Sequence, residues 1–450
     1  MKSYEMDLST GSLWKKVLIF SVPLMFSNIL QVLFNMSDIA VVGKFSGPIA
    51  LGAVGSTSLL ITLFTGILIG LASGVNALTA LYIGSKHERN IKSCVHSSFV
   101  ICLGAGILIT LFGEAFTPAI LRLMNTKEEL IGGAVLYLRI YLLGAPALGM
   151  YNFGNAVLSA AGDTKRPLYC LLFSGILNVV LNLFFVIVCG MDVAGVGLAS
   201  IISQYISAIL VVGMLVKSKS SFAFHLRNVR KYLDGDKMRR VLSLGIPAAF
   251  QNTLFAIANL FVQASVNSFD HVMVEGNSAA ANADPLVYDM MAAFYTAGTS
   301  FIAQNLGAGK KDRILKSYLI CTGYAFVLAL LLGVGIYVCR YGFLGIFTND
   351  PDVVAAGIHR LSIMALSYAI SAFMDGTIAA SRGLGKTVVP TIVVILGSCV
   401  FRLAWVYTVF AHFHTIRALY LLYPVSWSIT AAAEIVYFIK VYRQMMREDG

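Results

Sequence analysis

Apolar residues run through this chain in long blocks separated by short polar stretches, without the alternation of period two that marks a half-buried strand. A helix needs about 20 apolar residues to cross the hydrocarbon of a bilayer. The blocks near 15–43, 49–83, 93–119, 131–160, 167–190, 194–217, 241–268, 277–306, 316–345, 354–381, 388–411 and 417–442 reach that length. They predict an all-α polytopic membrane protein with twelve transmembrane helices. Several blocks exceed the minimum, which predicts tilt or extension beyond the bilayer. One shift in composition interrupts the series, where 217–240 holds eight Lys or Arg residues. It divides the chain into an N-terminal six-helix lobe (1–217), a basic cytoplasmic linker (218–240) and a C-terminal six-helix lobe (241–450).

The two lobes repeat one another. At a constant offset of 224 positions Pro23 meets Pro247, Asn28 meets Asn252, Asn35 meets Asn259 and Gly74 meets Gly298. The run Lys86, Glu88, Arg89, Lys92 and Ser93 likewise meets Lys310, Asp312, Arg313, Lys316 and Ser317. Many secondary transporters are built from such duplicated bundles, and an even number of helices per half makes the repeats parallel.

Composition agrees with a lipid solvent: 58% of residues are hydrophobic, 12% are charged, and the mean hydropathy is +0.80. Of the 33 Lys and Arg residues, 25 fall on the side that holds both termini. An excess of basic residues marks cytoplasmic loops, so both termini are expected in the cytoplasm of a multi-pass cell-membrane protein. The net charge of +11 then has membrane lipid as its partner. No nucleic-acid partner is expected, because no folded basic domain is present to bind one. The polar start leads into an apolar stretch too long for a signal-peptide core, so the first helix is expected to stay. The seven cysteines include no CxxC pair and read as small apolar packers, neither a disulfide frame nor a metal site.

The first block carries the strongest chemical signal. Asn28, Gln31, Asn35 and Asp38 follow at spacings of three, four and three, which sets all four on one helical face. An acid in hydrocarbon is costly unless it faces a partner or a watery cavity, so an intramembrane acid reads as a functional site. The amides Asn28 and Asn35 recur in the second half and suit helix–helix bonding. Gln31 and Asp38 do not recur: Phe255 and Val262 stand in their places. On the fifth block Asn178 and Asn182, one turn apart, correspond at an offset of 223 to Phe401 and Trp405. With Asn152 and Asn155 on the fourth block and Ser203 and Gln204 on the sixth, they complete a polar pocket in the first half. An acid walled by amides exchanges a proton or holds Na⁺.

The second half holds its own charges in the apolar blocks: Asp289, Asp375, Arg402 and Glu434. Arg402 neutralises one acid and leaves a second to attract a cationic substrate. Met290, Met291, Met364 and Met374, with Phe294, Tyr295 and Tyr368, offer an adaptable wall for it. The Gly-rich loops at 161–167 and 382–386 follow no strand and contain no GxxxxGK[ST], so no nucleotide site is implied and an ion gradient is the expected energy source.

Two six-helix halves, the prolines near the start of the first and seventh helices, the segment Phe301-Ile302-Ala303-Gln304-Asn305-Leu306-Gly307-Ala308-Gly309-Lys310 and the paired Gly-rich loops together resemble the multidrug and toxic compound extrusion (MATE) family. The resemblance spans essentially the whole chain. It implies a twelve-helix, V-shaped fold and export of cationic organic compounds in exchange for H⁺ or Na⁺. No organic cofactor is expected, and because both halves sit on one polypeptide a monomer is the expected working unit. It also implies a cation-coupling set of Asp38, Gln31, Asn155, Asn178 and Asn182, to which the polar pocket read from the residues adds Ser203; the polar stripe and the charges and wall of the second half give a substrate set of Asn35, Asp289, Asp375, Met290 and Tyr295. Asn182 departs from the family pattern, where a second carboxylate often stands, and this leaves H⁺ and Na⁺ both open. Related families with this architecture flip lipid-linked precursors, which is the alternative. An intramembrane enzyme is not expected, because the seven histidines show no HExxH or similar metal-holding cluster.

Overall fold

The computed structural model describes residues 5–447 and contains helices and connecting turns, with no strand among the described residues. In chain order the main helices are α1 (Leu13–Phe45), α2 (Gly47–Ser85), α3 (Glu88–Leu123), α4 (Glu128–Leu143), α5 (Ala145–Ala160), α6 (Lys165–Val188), α7 (Asp192–Lys217), α8 (Gly235–Val266), α9 (His271–Ala281), α10 (Ala283–Gly307), α11 (Lys311–Val338), α12 (Pro351–Gly383), α13 (Val388–Phe413) and α14 (Ile416–Arg447). Ten are long and apolar enough to cross a membrane, and α4 with α5, bent by 43°, makes an eleventh. The remaining expected block, the eighth at 277–306, is split between α9 and α10. Asp284 and Asp289 on α10 interrupt its apolar surface. Leu108, Leu111 and Leu331 lie more than 60% exposed, as lipid-facing side chains do.

The chain divides into two compact units. Unit 1 is Met1–Leu8 with Phe26–Ala249, and unit 2 is Ser9–Met25 with Phe250–Gly450. Each of α1 and α8 therefore serves one unit with its first half and the other with its second. The change of unit comes just after Pro23 in α1 and just after Pro247 in α8. A proline removes a backbone hydrogen bond within the helix and lets the two halves diverge in direction.

In unit 1 the start of α8 packs on α2 through glycines. A Cβ on Gly70 would collide with the backbone of Ala248 and Ala249, and one on Gly74 with the backbone of Val241 and Gly245. This spacing of small residues lets two backbones approach where lipid offers no hydrophobic drive toward association. The ring of Phe99 stacks on Phe224, and both meet Phe153 edge to face, in a cluster with Leu78, Val95 and Val211. The α5–α6 turn closes on itself: Asp163 accepts from the Arg166 backbone N–H at 3.2 Å and pairs with its guanidinium at 3.0 Å. Burial pushes the Asp163 carboxyl above its ordinary range, and Arg166 opposes the rise.

In unit 2, α12 is the central helix and packs against α9, α10, α11 and α14. Small residues again set the approach: added Cβ atoms on Gly276 and Gly333 would strike the backbone of Gly357 and Ala365. The first half of α1 docks through edge-to-face pairs of Trp14 with Tyr324 and Phe20 with Phe301. Both α6 and α13 carry π-helical segments, at Phe184–Val188 in α6 and at Ile395–Val400 and Val406–Phe410 in α13. Such segments re-aim the side chains beside them and recur at functional sites.

Candidate functional site

The polar stripe of α1 leads into unit 1 at Asp38. Its side chain is 9% exposed, and its two oxygens have separate donors. Asn182 on α6 donates to Oδ1 at 2.5 Å, and Ser200 on α7 donates to Oδ2 at 3.1 Å. The Asn182 amide also reaches Asn178 Oδ1 at 3.3 Å, while Asn182 Oδ1 is buried without a partner. Tyr137 and Tyr141 lie within electrostatic reach of the acid. Among the described residues no basic side chain pairs with Asp38; Arg139 on α4 pairs with Glu114 at 3.6 Å.

The remaining expected residues of this set stand apart. Ser203 donates to the Ala199 carbonyl at 2.8 Å, and Asn155 accepts from Ser159 at 3.4 Å. Gln31 and Asn35 are exposed, two turns and one turn before Asp38 on α1. Ser200 was not anticipated, although it lies three residues before Ser203 on the same face of α7. The arrangement sets one carboxylate against an amide N–H and a hydroxyl, with the amide oxygens of Asn178 and Asn182 beside them. No group of three or more His, Cys, Asp or Glu that would hold a multivalent metal occurs among the described residues.

Unit 2 contains a cavity of about 450 Å³ whose wall includes Asn252, Phe255, Asn259 and Val262. These are the α8 counterparts of Asn28, Gln31, Asn35 and Asp38, so the duplicated face contributes to this cavity in unit 2 and places Asp38 in unit 1. Arg402, held on α13 between its two π segments, also lines the cavity. Arg402 is 2% exposed and donates through Nη1 to Asn259 Oδ1 at 2.9 Å, while its Nε is buried without a partner. Its guanidinium sits 4.8 Å from the Tyr423 ring, 5.7 Å from Phe255 and 5.9 Å from Trp427.

The expectation that Arg402 neutralises an acid meets a different arrangement, in which Arg360 pairs with Asp284 at 2.6 Å and Arg402 forms no ion pair among the described residues. Loop counting places Arg360 on the outer side. Its position inside the 354–381 block was the signal that it is buried. Tyr368 also donates to Asp284, at 2.5 Å, and Arg360 donates to Asn277 at 2.8 Å. Asp375, Met364 and Met374 line the cavity. Asp289, Met290 and Tyr295 lie half-buried on α10 and do not line it. Glu434 is fully buried, and neither of its carboxyl oxygens has a hydrogen-bond partner among the described residues.

The sequence profile of the MatE family matches residues 23–184 and again 247–408, two stretches that begin 224 residues apart. The probable multidrug resistance protein YpnP of Bacillus subtilis is 28% identical over 392 residues, covering 86% of this chain and 87% of that protein. The FAD transporter of Shewanella oneidensis is 24% identical over 329 residues, covering 71% of each. A crystal structure of MATE in complex with MaL6 superposes with a TM-score of 0.91 at 21% identity, over 99% of this chain and 100% of that one.

Proposed function

We propose, from the premise that this chain belongs to the MatE family, that it is a secondary active antiporter exporting amphipathic organic compounds that carry positive charge, in exchange for H⁺ or Na⁺. Asp38 is the coupling-cation site. The observation that carries this reading is a buried carboxylate with an amide and a hydroxyl as donors and no basic partner among the described residues. A permanent guanidinium would hold the acid ionised at all times, whereas amide and hydroxyl groups leave it free to load and release a small cation. Loading removes a charge from the packing of α1, α6 and α7 and biases the molecule between its transport states. The relatives named as multidrug resistance proteins support organic compounds as cargo. On this reading one copy is sufficient, both termini face the cytoplasm, and no covalent chemistry or organic cofactor is involved.

The test is reconstitution into vesicles with an imposed proton or sodium gradient and a fluorescent organic cation. Wild-type protein should move the cation against its gradient under one of the two ions, and Asp38→Asn should lose gradient-driven movement at least tenfold. Full ion-driven transport by the Asn variant would refute the role of Asp38.

The alternative, a flippase for a lipid-linked precursor, draws support from Arg360 and Arg402 in the unit 2 cavity. Asp284 and Asp375 share the same wall, however, and leave no net positive field to hold a pyrophosphate.

A further inference from the structure

The connection between α7 and α8 is pinned to unit 1 along its length. Beyond Lys217 the chain turns back on the helix it leaves, and the Phe224 N–H donates to the Leu215 carbonyl at 3.2 Å. Phe222 and Phe224 are buried, and the Phe224 ring stacks on Phe99 at 4.5 Å. His96 of α3 lies against both Phe224 and Tyr232, with ring centroids 5.0 and 5.2 Å away. Ser97 closes the stretch by donating to the Asp234 carbonyl at 3.3 Å and accepting from the Asp234 N–H at 3.1 Å. Ser97 lies nine residues after Glu88, the start of α3, which is about 13 Å along the helix. The connection therefore lies beside the ends of α3 and α7, where the polar start of α3 gives way to its apolar run, instead of projecting beyond them. Its outer face combines charge with apolar surface. Arg227, Arg230 and Lys231 are exposed, and no carboxylate pairs with them among the described residues. Flanking them, Leu226 is 66% and Leu233 46% exposed. The short turns Leu226–Asn228 and Val229–Tyr232 set Leu226, Arg230 and Leu233 at spacings of four and three, on one face. Of the two acids in 218–240, Asp234 accepts from the backbone N–H groups of Asp236 and Lys237 at 2.9 and 3.2 Å, and Asp236 lies in the first turn of α8.

We infer that this face is a binding platform for anionic phospholipid, with Arg227, Arg230 and Lys231 on the headgroup phosphates and Leu226 and Leu233 entering the boundary of the acyl chains. Orientation during membrane insertion needs only basic charge on one side. It needs neither buried aromatic anchors nor exposed leucines, so the docked geometry calls for a partner with both an anionic and an apolar layer. A lipid surface has that chemistry: each cation is drawn to an anionic leaflet, and the leucines leave water. A soluble anion would take the cations and leave both leucines exposed. Docking on α3 also orders the segment before it meets lipid, so little conformational freedom remains to oppose binding. The platform belongs to unit 1 alone, and its role goes beyond the transporter reading. On the orientation proposed above, its partner is the inner leaflet.

The test places an environment-sensitive nitrobenzoxadiazole label on the full chain through Leu226→Cys, with Cys189→Ala and Cys339→Ala removing the exposed native thiols. The protein is reconstituted into nanodiscs, where both membrane faces are accessible and orientation does not enter. In phosphatidylcholine mixed with phosphatidylglycerol the emission should shift to the blue, and nitroxide-labelled acyl chains should quench it more strongly than aqueous iodide does. A label at Leu233→Cys should repeat the pattern. Arg227→Gln, Arg230→Gln and Lys231→Gln together should raise the phosphatidylglycerol fraction needed for half of the shift by about fivefold or more. Arg227→Lys with Arg230→Lys, which keeps the charge, should retain most of the wild-type response. Inorganic phosphate added to discs of phosphatidylcholine alone should leave the emission unchanged. A label open to iodide at every lipid composition would overturn the inference. So would a shift produced equally by inorganic phosphate, the pattern of a site for a soluble anion.

Discussion

Asp38 and Val262 stand at the same place in two copies of one helix, yet the first meets an amide and a hydroxyl while the second faces a cavity wall. Donors therefore decide what an acid at this depth does, and the two serines of α7 allow a direct test. Ser200 donates to Asp38, whereas Ser203 donates to its own helix backbone. Losing one hydrogen bond to a charged group shifts an equilibrium by about 1.5–3 kcal/mol, roughly ten- to a hundredfold. Ser200→Ala should therefore change the half-saturating concentration of the coupling ion by about tenfold or more in vesicles, and Ser203→Ala by less than twofold. Equal effects of the two substitutions would remove Ser200 from the site. Glu434 makes a second case, since two carboxyl oxygens buried without partners oppose folding. Glu434→Met, of similar length and without the polar atoms, should raise the thermal unfolding midpoint in detergent by the equivalent of about 1–3 kcal/mol. A lowered midpoint would mean that the carboxyl supports the fold. The stripe of α1 was legible because spacings of three and four project onto one face. The partners of Asp38 were legible only in part, because residue type does not say which of two serines a turn apart points inward.

At the scale of helices, glycine placement separates contacts from gaps. Gly74 sits where the backbones of α2 and α8 nearly touch, whereas nothing lies within 4 Å of a Cβ placed on Gly104 in α3. Gly74→Leu should force α8 off α2 and abolish the folded, monodisperse protein, a loss of more than about 3 kcal/mol. Gly104→Ala should leave the fold intact and add up to about 1 kcal/mol through helix propensity. Size-exclusion profiles and thermal unfolding of the two variants check this, and a well-folded Gly74→Leu protein would contradict the close approach. Long apolar blocks made most helices readable, because hydrocarbon demands that every backbone group bond within its own segment. The region of α9 and α10 resisted that reading since Asp284 and Asp289 break its apolar run. The ion pair of Arg360 was hidden because its partner, Asp284, lies 76 residues away in sequence.

For the whole molecule, the distribution of basic residues predicts which side each loop faces. Two of the seven cysteines are exposed, Cys189 after α6 and Cys339 after α11, both at the side expected to face outward. A membrane-impermeant maleimide applied to intact cells should label the wild-type protein, and the double substitution Cys189→Ala with Cys339→Ala should abolish the labelling. Labelling only after the cells are broken open would reverse the assigned orientation. The duplication itself was readable from a constant offset. The divergence of the two copies into an acid site and a guanidinium site rests on which side chains meet across helices, and the repeat pattern does not carry that.

The crossing-over of α1 and α8 between units bears on how the chain is made. A ribosome delivers residues in order, and unit 1 needs the stretch up to Ala249 before its glycine-lined seam with α2 can close. The amino-terminal bundle therefore waits, incomplete, until the first helix of the second repeat has been threaded into the membrane. A nascent chain halted at the basic connection would expose an open seam to lipid and to quality-control proteases.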